Sequence, residues 1–117
     1  MIVRVPFDEG GLTGKITPQT SFPEGDFRNR YFRENRKSQV FDRVNAIAQD
    51  LSIETEAVAE TALRFVLSHP AVSTVIPGMR SVEHAEKNCG VGDGKGLPAS
   101  AVEKLRAHRW DRNFYSP

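Results

Sequence analysis

Two adjacent polar residues, Arg80 and Ser81, stand where a strand-like segment gives way to a helix-like one. Ser81 is a good N-cap residue, and the first turn of a helix leaves backbone N–H groups without partners at the positive end of the helix dipole. Arg80 supplies a forked cation that can hold a phosphate through two hydrogen bonds. Because anions bind at helix starts of this kind, the sequence predicts a phosphate site here.

Two stripes of residues follow at helical spacing. Arg80, His84 and Asn88 recur every four residues and predict a polar stripe. If the opposite, apolar stripe packs on the sheet beneath, His84 and Asn88 are left to face a flat hydrogen-bonding group beside the phosphate, such as an adenine. The alternative is the solvated polar face that most surface helices have. The apolar stripe consists of Val82, Ala85 and Cys89.

The remaining elements can be read from periodicity and from turn residues. Residues 72–76 predict a buried strand that turns at Pro77 and Gly78, and a second strand is predicted at residues 2–5. A long loop is predicted over residues 7–33, because glycines and prolines recur through it. Amphipathic helices are predicted from about 34 to 50, from about 55 to 68, where Pro70 ends the helix, and from Pro98 to about 108. The predicted packing faces contain Val40, Phe41, Val44, Ile47, Ala48 and Leu51, and then Val58, Ala59, Ala62, Leu63, Val66 and Leu67.

Three segments resemble the aldo-keto reductases, in order and at the family's spacing. Residues 76–88, Ile-Pro-Gly-Met-Arg-Ser-Val-Glu-His-Ala-Glu-Lys-Asn, resemble the strand-eight-to-helix nucleotide motif of that family. Residues 4–15, Arg-Val-Pro-Phe-Asp-Glu-Gly-Gly-Leu-Thr-Gly-Lys, resemble its strand-seven segment, which wraps the cofactor pyrophosphate. Residues 62–70, Ala-Leu-Arg-Phe-Val-Leu-Ser-His-Pro, match the helix that leads into strand eight.

The resemblance implies an α/β fold, as a fragment of a (β/α)8 TIM barrel. Such barrels need on the order of 250 residues, whereas this chain has 117. It would contain about the last two βα units and a C-terminal helix, mostly helical by residue count. The expected division is a strand and cofactor loop (1–33), two helices (34–70), a strand and nucleotide-binding helix (71–89), and a linker, helix and tail (90–117).

The resemblance also implies NADP as the cofactor. Lys15 would meet the pyrophosphate or the 2′-phosphate, and Lys87 would favour a phosphorylated ribose. Asp8 and Glu9 would repel a pyrophosphate unless both carboxylates point away from it. The expected cofactor-binding residues are Pro6, Phe7, Glu9, Gly10, Lys15, Ile76, Pro77, Gly78, Met79, Arg80, His84, Lys87 and Asn88.

No catalytic residue is predicted within the chain. Catalysis in the resembling family uses a tyrosine, a lysine, an aspartate and a histidine on earlier strands, and neither Tyr31 nor Tyr115 stands in that context. The first hypothesis is therefore the cofactor-binding part of an NADP-dependent reductase, which transfers hydride to a carbonyl substrate when the barrel is complete. The alternative is a non-catalytic fragment that buries its open strand edges in a homo-oligomer. Because Met1 directly precedes the first strand, a truncated reading frame, a split-gene half or a dissected fragment is expected.

Composition fits an ordinary globular chain, with 38% hydrophobic residues, 26% charged residues and a formal charge of +1. No apolar run approaches the roughly 20 residues of a membrane span, so neither a membrane nor a nucleic-acid partner is predicted. One cysteine and no secretory leader predict a cytoplasmic protein, with Cys89 as a buried packing thiol. No metal site is predicted, because the three histidines lack ligand spacing.

Two further positions have alternative interpretations. His69, just before Pro70, could titrate or bind a ligand, but interaction with the helix dipole or with solvent is the favoured interpretation. The segment 90–96 is rich in glycine and is expected to be flexible. Residues 109–112 form a tail that the resemblance places at the active-site mouth, although Trp110 is favoured as a lone hydrophobic anchor on a neighbouring helix.

Overall fold

The computed structural model describes all 117 residues, about half of them in helices. Two strands, β1 and β2, and five α-helices, α1 to α5, are joined by two short 3-10 segments. In chain order the elements are β1 (Ile2–Arg4), a 3-10 segment (Asp8–Thr13), α1 (Phe27–Tyr31), α2 (Arg36–Leu51), a 3-10 segment (Thr55–Ala57), α3 (Val58–Leu67), β2 (Thr74–Ile76), α4 (Val82–Gly90) and α5 (Ala99–Ala107).

The two strands form a parallel sheet in which Val3 pairs with Val75 and Arg4 pairs with Ile76. Side chains alternate between the faces of a strand, and the sheet shows this directly. Val3 and Val75 are partly covered and β2 lies against α3, whereas Ile2 is 64% exposed and Ile76 is 61% exposed. One face of the sheet is therefore open and exposes two isoleucines beside Arg4 and Thr74.

The hydrophobic core lies between α2, the start of α3 and the C-terminal tail. Its largest fully buried members are Tyr31 and Phe32, whose rings meet edge to face with centroids 4.8 Å apart. Phe114 of the tail packs against Tyr31 in the same way, at 5.4 Å. The buried core residues are Ile16, Tyr31, Phe32, Val40, Val44, Ala48, Val58 and Phe114.

Gly14 allows the loop after β1 to approach the 3-10 segment that precedes α3. Its φ of 76° lies in the left-handed region, and a Cβ atom there would stand 2.4 Å from the carbonyl oxygen of Thr55. Only glycine meets both conditions. The position of Lys15, the next residue, is therefore tied to the start of α3.

Several predicted boundaries need correction. The predicted loop over residues 7–33 contains the 3-10 segment Asp8–Thr13 and α1, which Asp26 caps by accepting a hydrogen bond from the Arg28 amide at 2.9 Å. The first strand ends one residue early because Val5 has a φ of 56°. The helix predicted from about 34 to 50 lies at Arg36–Leu51, and Phe41 is exposed although the periodicity placed it on the packing face.

The predicted packing of α4 was wrong. Val82 is 75% exposed and Cys89 is exposed, and α4 buries no residue. The physical reason is that α4 contacts α3 but has no sheet face beneath its apolar stripe, because the sheet has only two strands. Cys89 is therefore an accessible thiol and not a buried packing residue.

The glycine-rich segment after α4 is bound to α3 by Arg64. The guanidinium contacts both carboxylate oxygens of Asp93, at 2.9 and 3.0 Å, donates to the carbonyl of Lys95 at 2.5 Å, and pairs with Glu60 at 2.9 Å. These hydrogen bonds raise the pKa of Arg64 and lower that of Asp93. The expectation of a flexible segment overlooked this bidentate ion pair.

None of the helices combines the length and the apolar character that a membrane crossing requires. The structure also brings together no group of three or more side chains suited to hold a metal ion. His69 is exposed, and its Nδ1 accepts a hydrogen bond from the Ala71 amide at 3.1 Å.

Candidate functional site

The loops that follow the two parallel strands meet at the same end of the sheet. Lys15, from the loop after β1, places its Nζ 3.5 Å from Nε2 of His84, in the first turn of α4. Because the lysine ammonium has only donors, Nε2 of His84 is the acceptor in this contact. Two segments 69 positions apart thus present their polar groups to one region.

Local hydrogen bonds fix the start of α4. Ser81 caps the helix, since its Oγ accepts from the His84 amide at 3.1 Å. Asn88, two turns on, donates from Nδ2 to the carbonyl of Gly78 at 3.2 Å and so ties the Pro-Gly turn back to the helix. The prediction of a strand, a turn and a capped helix over residues 72–88 is confirmed, although the strand itself is shorter.

Arg80 lies before the N-cap, so it is not a member of the helical stripe that its spacing with His84 and Asn88 suggested. Its side chain is exposed and forms no ion pair. The guanidinium stands beside the uncompensated amides of the first turn of α4. Arg80 is therefore an arginine without an ion-pair partner at the start of α4.

Asp26 and Arg28 are two further charged residues near Arg80, and the set of expected cofactor-binding residues did not include them. Arg28 binds Asp26 through two parallel hydrogen bonds, 3.0 Å from Nε and 2.7 Å from Nη2. These bonds, and to a smaller extent the charge of Arg80, lower the pKa of Asp26 to about 2. The sequence signal for this pair was the Gly25-Asp26 turn followed by a helix start.

Lys87 does not stand free beside a ribose site in this structure. It pairs with Glu83, one turn earlier on α4, at 2.7 Å, and both side chains are largely exposed. The hydrogen bond to Lys87 lowers the pKa of Glu83, with smaller contributions from the charges of His84 and Lys15. A surface pair of this kind contributes little to stability, so Lys87 remains accessible to an anion that competes with Glu83.

The segment after β1 turns its acidic side chains toward the C-terminal tail. Asp8 accepts from the Tyr31 hydroxyl at 2.5 Å and from Arg112, and Glu9 accepts from the Tyr115 hydroxyl at 2.7 Å. Both carboxylates therefore have partners that the sequence reasoning did not identify, in α1 and in the C-terminal tail. Burial raises the pKa of Asp8, and the Tyr31 and Arg112 contacts oppose that rise.

The other expected site residues are distributed around these groups. Pro6 is buried and Phe7 half-buried, and the carbonyl of Gly10 accepts from Thr13 at 2.6 Å. Ile76, Gly78 and Met79 are exposed. Pro77 is half-buried in the turn.

A cavity of about 380 Å³ lies between α2 and the C-terminal tail, lined among others by Asp8, Val44, His108, Trp110 and Arg112. Trp110 is not a lone anchor, because the guanidinium carbons of Arg43 and Arg112 lie 4.8 and 4.6 Å from its ring centroid. It does contact a neighbouring helix, since Arg43 belongs to α2.

Comparison with known proteins gives one family. The family model described as Aldo/keto reductase family matches residues 1–109. The chain is 29% identical over 111 residues to "Aldo-keto reductase yakc [NADP(+)]" of Schizosaccharomyces pombe, covering 91% of this chain and 32% of that protein. It is 27% identical over 110 residues to "Uncharacterized oxidoreductase YqkF" of Bacillus subtilis, covering 92% and 34%. The chain thus spans about a third of the length of the curated relatives it matches, and no solved structure matches it.

Proposed function

Because this chain belongs to the aldo/keto reductase family, we propose that it forms the NADP-binding part of an oxidoreductase that reduces carbonyl compounds. The observation that carries the proposal is the contact between Lys15 and His84, 3.5 Å apart. In parallel barrels, phosphate sites are built from the loops after neighbouring strands at their carboxyl ends, together with a helix start. The contact joins the two segments that such a site needs.

The residues present fit a phosphorylated dinucleotide. The capped start of α4 offers backbone donors, and Arg80 offers an unpaired guanidinium. Lys15 offers an ammonium whose side-chain hydrogen bond is to the His84 ring. A charge-assisted contact to a phosphate is stronger than a neutral hydrogen bond. We assign the 2′-phosphate to Arg80 and Ser81, and the pyrophosphate to Lys15. The name of the fission yeast relative, which includes NADP(+), supports this choice of cofactor.

In this proposal the residues of the chain bind and orient the cofactor and perform no proton transfer. NADPH, when bound, supplies the hydride that reduces the carbonyl carbon. Tyr31 and Tyr115 are unsuited to donate the accompanying proton, because their hydroxyls are held by Asp8 and Glu9. Burial and the Asp8 hydrogen bond raise the pKa of Tyr31 to about 12. The proton donor is therefore assigned to barrel segments outside these 117 residues.

A chimera tests the proposal. The matched third of YqkF is replaced by this chain, and reduction of an aromatic aldehyde is followed by the loss of NADPH absorbance. We expect turnover with NADPH in the chimera and none in a version of YqkF that lacks the matched third. A folded chimera that binds no NADPH contradicts the proposal.

The second candidate function is self-association without catalysis, and the open sheet face favours it. Ile2 and Ile76 lie at opposite ends of that face, beside Thr74 and Arg4, and Met79 is also exposed. Open edges and faces of parallel strands are seldom left in water. A stable oligomer that binds no nucleotide would favour this candidate over the first.

A further inference from the structure

Two neighbouring acidic residues, Asp8 and Glu9, adopt a backbone conformation that costs energy. Their φ angles are 55° and 56°, in the left-handed region that glycine favours. Residues held in this region persist only when their surroundings determine the conformation, and they concentrate at functional sites. The contacts that hold these two residues are therefore informative.

Those contacts come from the far end of the chain. Arg112 donates to Asp8 across 104 positions and is also 3.2 Å from the Tyr31 hydroxyl, which donates to the same carboxylate. Tyr115 donates to Glu9 across 106 positions, and its ring lies 4.9 Å from that of Tyr31. The hydrogen bond to Glu9 raises the pKa of Tyr115, so the phenol keeps its proton and remains a donor.

Glu9 also lies within electrostatic reach of Arg28, which is paired with Asp26 near Arg80, and Asp8 is the direct neighbour of Glu9. The pKa of Arg28 is raised mainly by its hydrogen bonds to Asp26 and to a smaller extent by the charge of Glu9. Asp26 in turn responds to the charge of Arg80. A carboxylate released from the tail would add unbalanced negative charge to a region that has to receive phosphates.

We propose that Arg112 and Tyr115 are positioning residues of the nucleotide site, which hold the carboxylates of Asp8 and Glu9 away from the bound phosphates. The proposal rests on the function proposed above. In this proposal the C-terminal tail affects cofactor affinity by holding the two carboxylates, whereas the strand-end contacts and the helix cap bind the phosphates.

The test is isothermal titration of NADP into variants of the full chain. Arg112→Met is expected to weaken binding about tenfold, because the half-buried Asp8 carboxylate loses its cation and its charge then opposes the phosphates. Arg109→Met is the matched control, since Arg109 lies in the same tail and pairs only with Asp111 on the surface. We expect no change in its dissociation constant.

The decisive variant is the double substitution Asp8→Asn with Arg112→Met. Asparagine keeps the shape, tolerates the left-handed φ and removes the charge, so binding should recover to within about threefold of the parent chain. A role of Arg112 in packing alone, over Trp110 and Phe114, predicts no recovery. Loss without recovery therefore overturns the proposal, as does unchanged binding by Arg112→Met.

A second pair of variants covers the case in which Arg112→Met does not fold. Tyr115→Phe keeps the ring contacts and removes only the donor to Glu9, so binding should weaken about threefold and return with Glu9→Gln. Unchanged binding by Tyr115→Phe overturns the role of that residue. Absence of NADP binding by the unsubstituted chain overturns the proposed function itself, and the two failures are thus distinguishable.

Discussion

Lys15 Nζ lies 3.5 Å from His84 Nε2, although Lys15 belongs to the loop after β1 and His84 to α4, which follows β2. The contact makes the site depend on the loop after β1 as much as on α4. Changes to either segment should therefore alter nucleotide affinity.

Arg80→Ala is expected to weaken NADP binding roughly tenfold and to leave NAD binding nearly unchanged, because the guanidinium is assigned to the 2′-phosphate. Fluorescence titration with both cofactors measures this. Arg106→Ala on α5 is the control, since the ion pair of that exposed side chain is with Glu103, at 3.8 Å on the same helix. Equal losses for NADP and NAD would refute the assignment.

Gly14→Ala is expected to destabilise the fold by about 3 kcal/mol, from the left-handed φ together with the contact to the Thr55 carbonyl. Gly25→Ala separates the two causes, since Gly25 has a φ of 78° with open space around it. Its cost should be about 1 kcal/mol. Urea unfolding of both variants gives the difference, and similar costs would contradict the close approach.

The free energy of unfolding should fall as the pH rises above 10. Burial, followed by the hydrogen bond to Asp8, raises the pKa of Tyr31 from 10.0 to about 12. Since the folded state keeps a proton that the unfolded state loses, the stabilisation is full below pH 10 and is lost as the pH passes through about 12.

Urea unfolding over that pH range measures the loss, and Tyr31→Phe is the comparison. The phenylalanine variant has no group that titrates at this position, so its stability should decline less steeply. Parallel pH profiles for the two proteins would show that the Tyr31 hydroxyl is not responsible.

The 117-residue chain by itself should be a dimer or a larger species and should not reduce an aromatic aldehyde. The open sheet face that exposes Ile2 and Ile76 is the reason for the first expectation, and the occupied hydroxyls of Tyr31 and Tyr115 are the reason for the second. Light scattering of Ile2→Lys with Ile76→Lys should show a shift toward monomer, whereas Val82→Lys on α4 should not. A monomeric parent chain would contradict the first expectation.

Local signals in the sequence predicted local structure well. Ser81 and Pro98 each marked the start of a helix, and the spacing of Val40, Val44 and Ala48 identified a buried face. These predictions succeed because capping and periodicity act over one or two turns.

Burial and long-range pairing were the parts that local patterns could not predict. Cys89 has an apolar environment only if another element covers it, and none does. The partnership of Asp8 with Arg112 joins residues 104 positions apart, and no spacing rule indicates such a pair. The ion pair of Arg64 with Asp93 is likewise a result of tertiary packing.

The contact between Asp8 and Arg112 also has a consequence for the order of folding. It closes a loop of 104 positions, and the chain entropy lost on closing a loop of that length is about 4 kcal/mol. Contacts of such high sequence separation form late, after the helices have gathered a core that brings the ends together. The backbone around Asp8 should therefore reach its final conformation among the last events of folding.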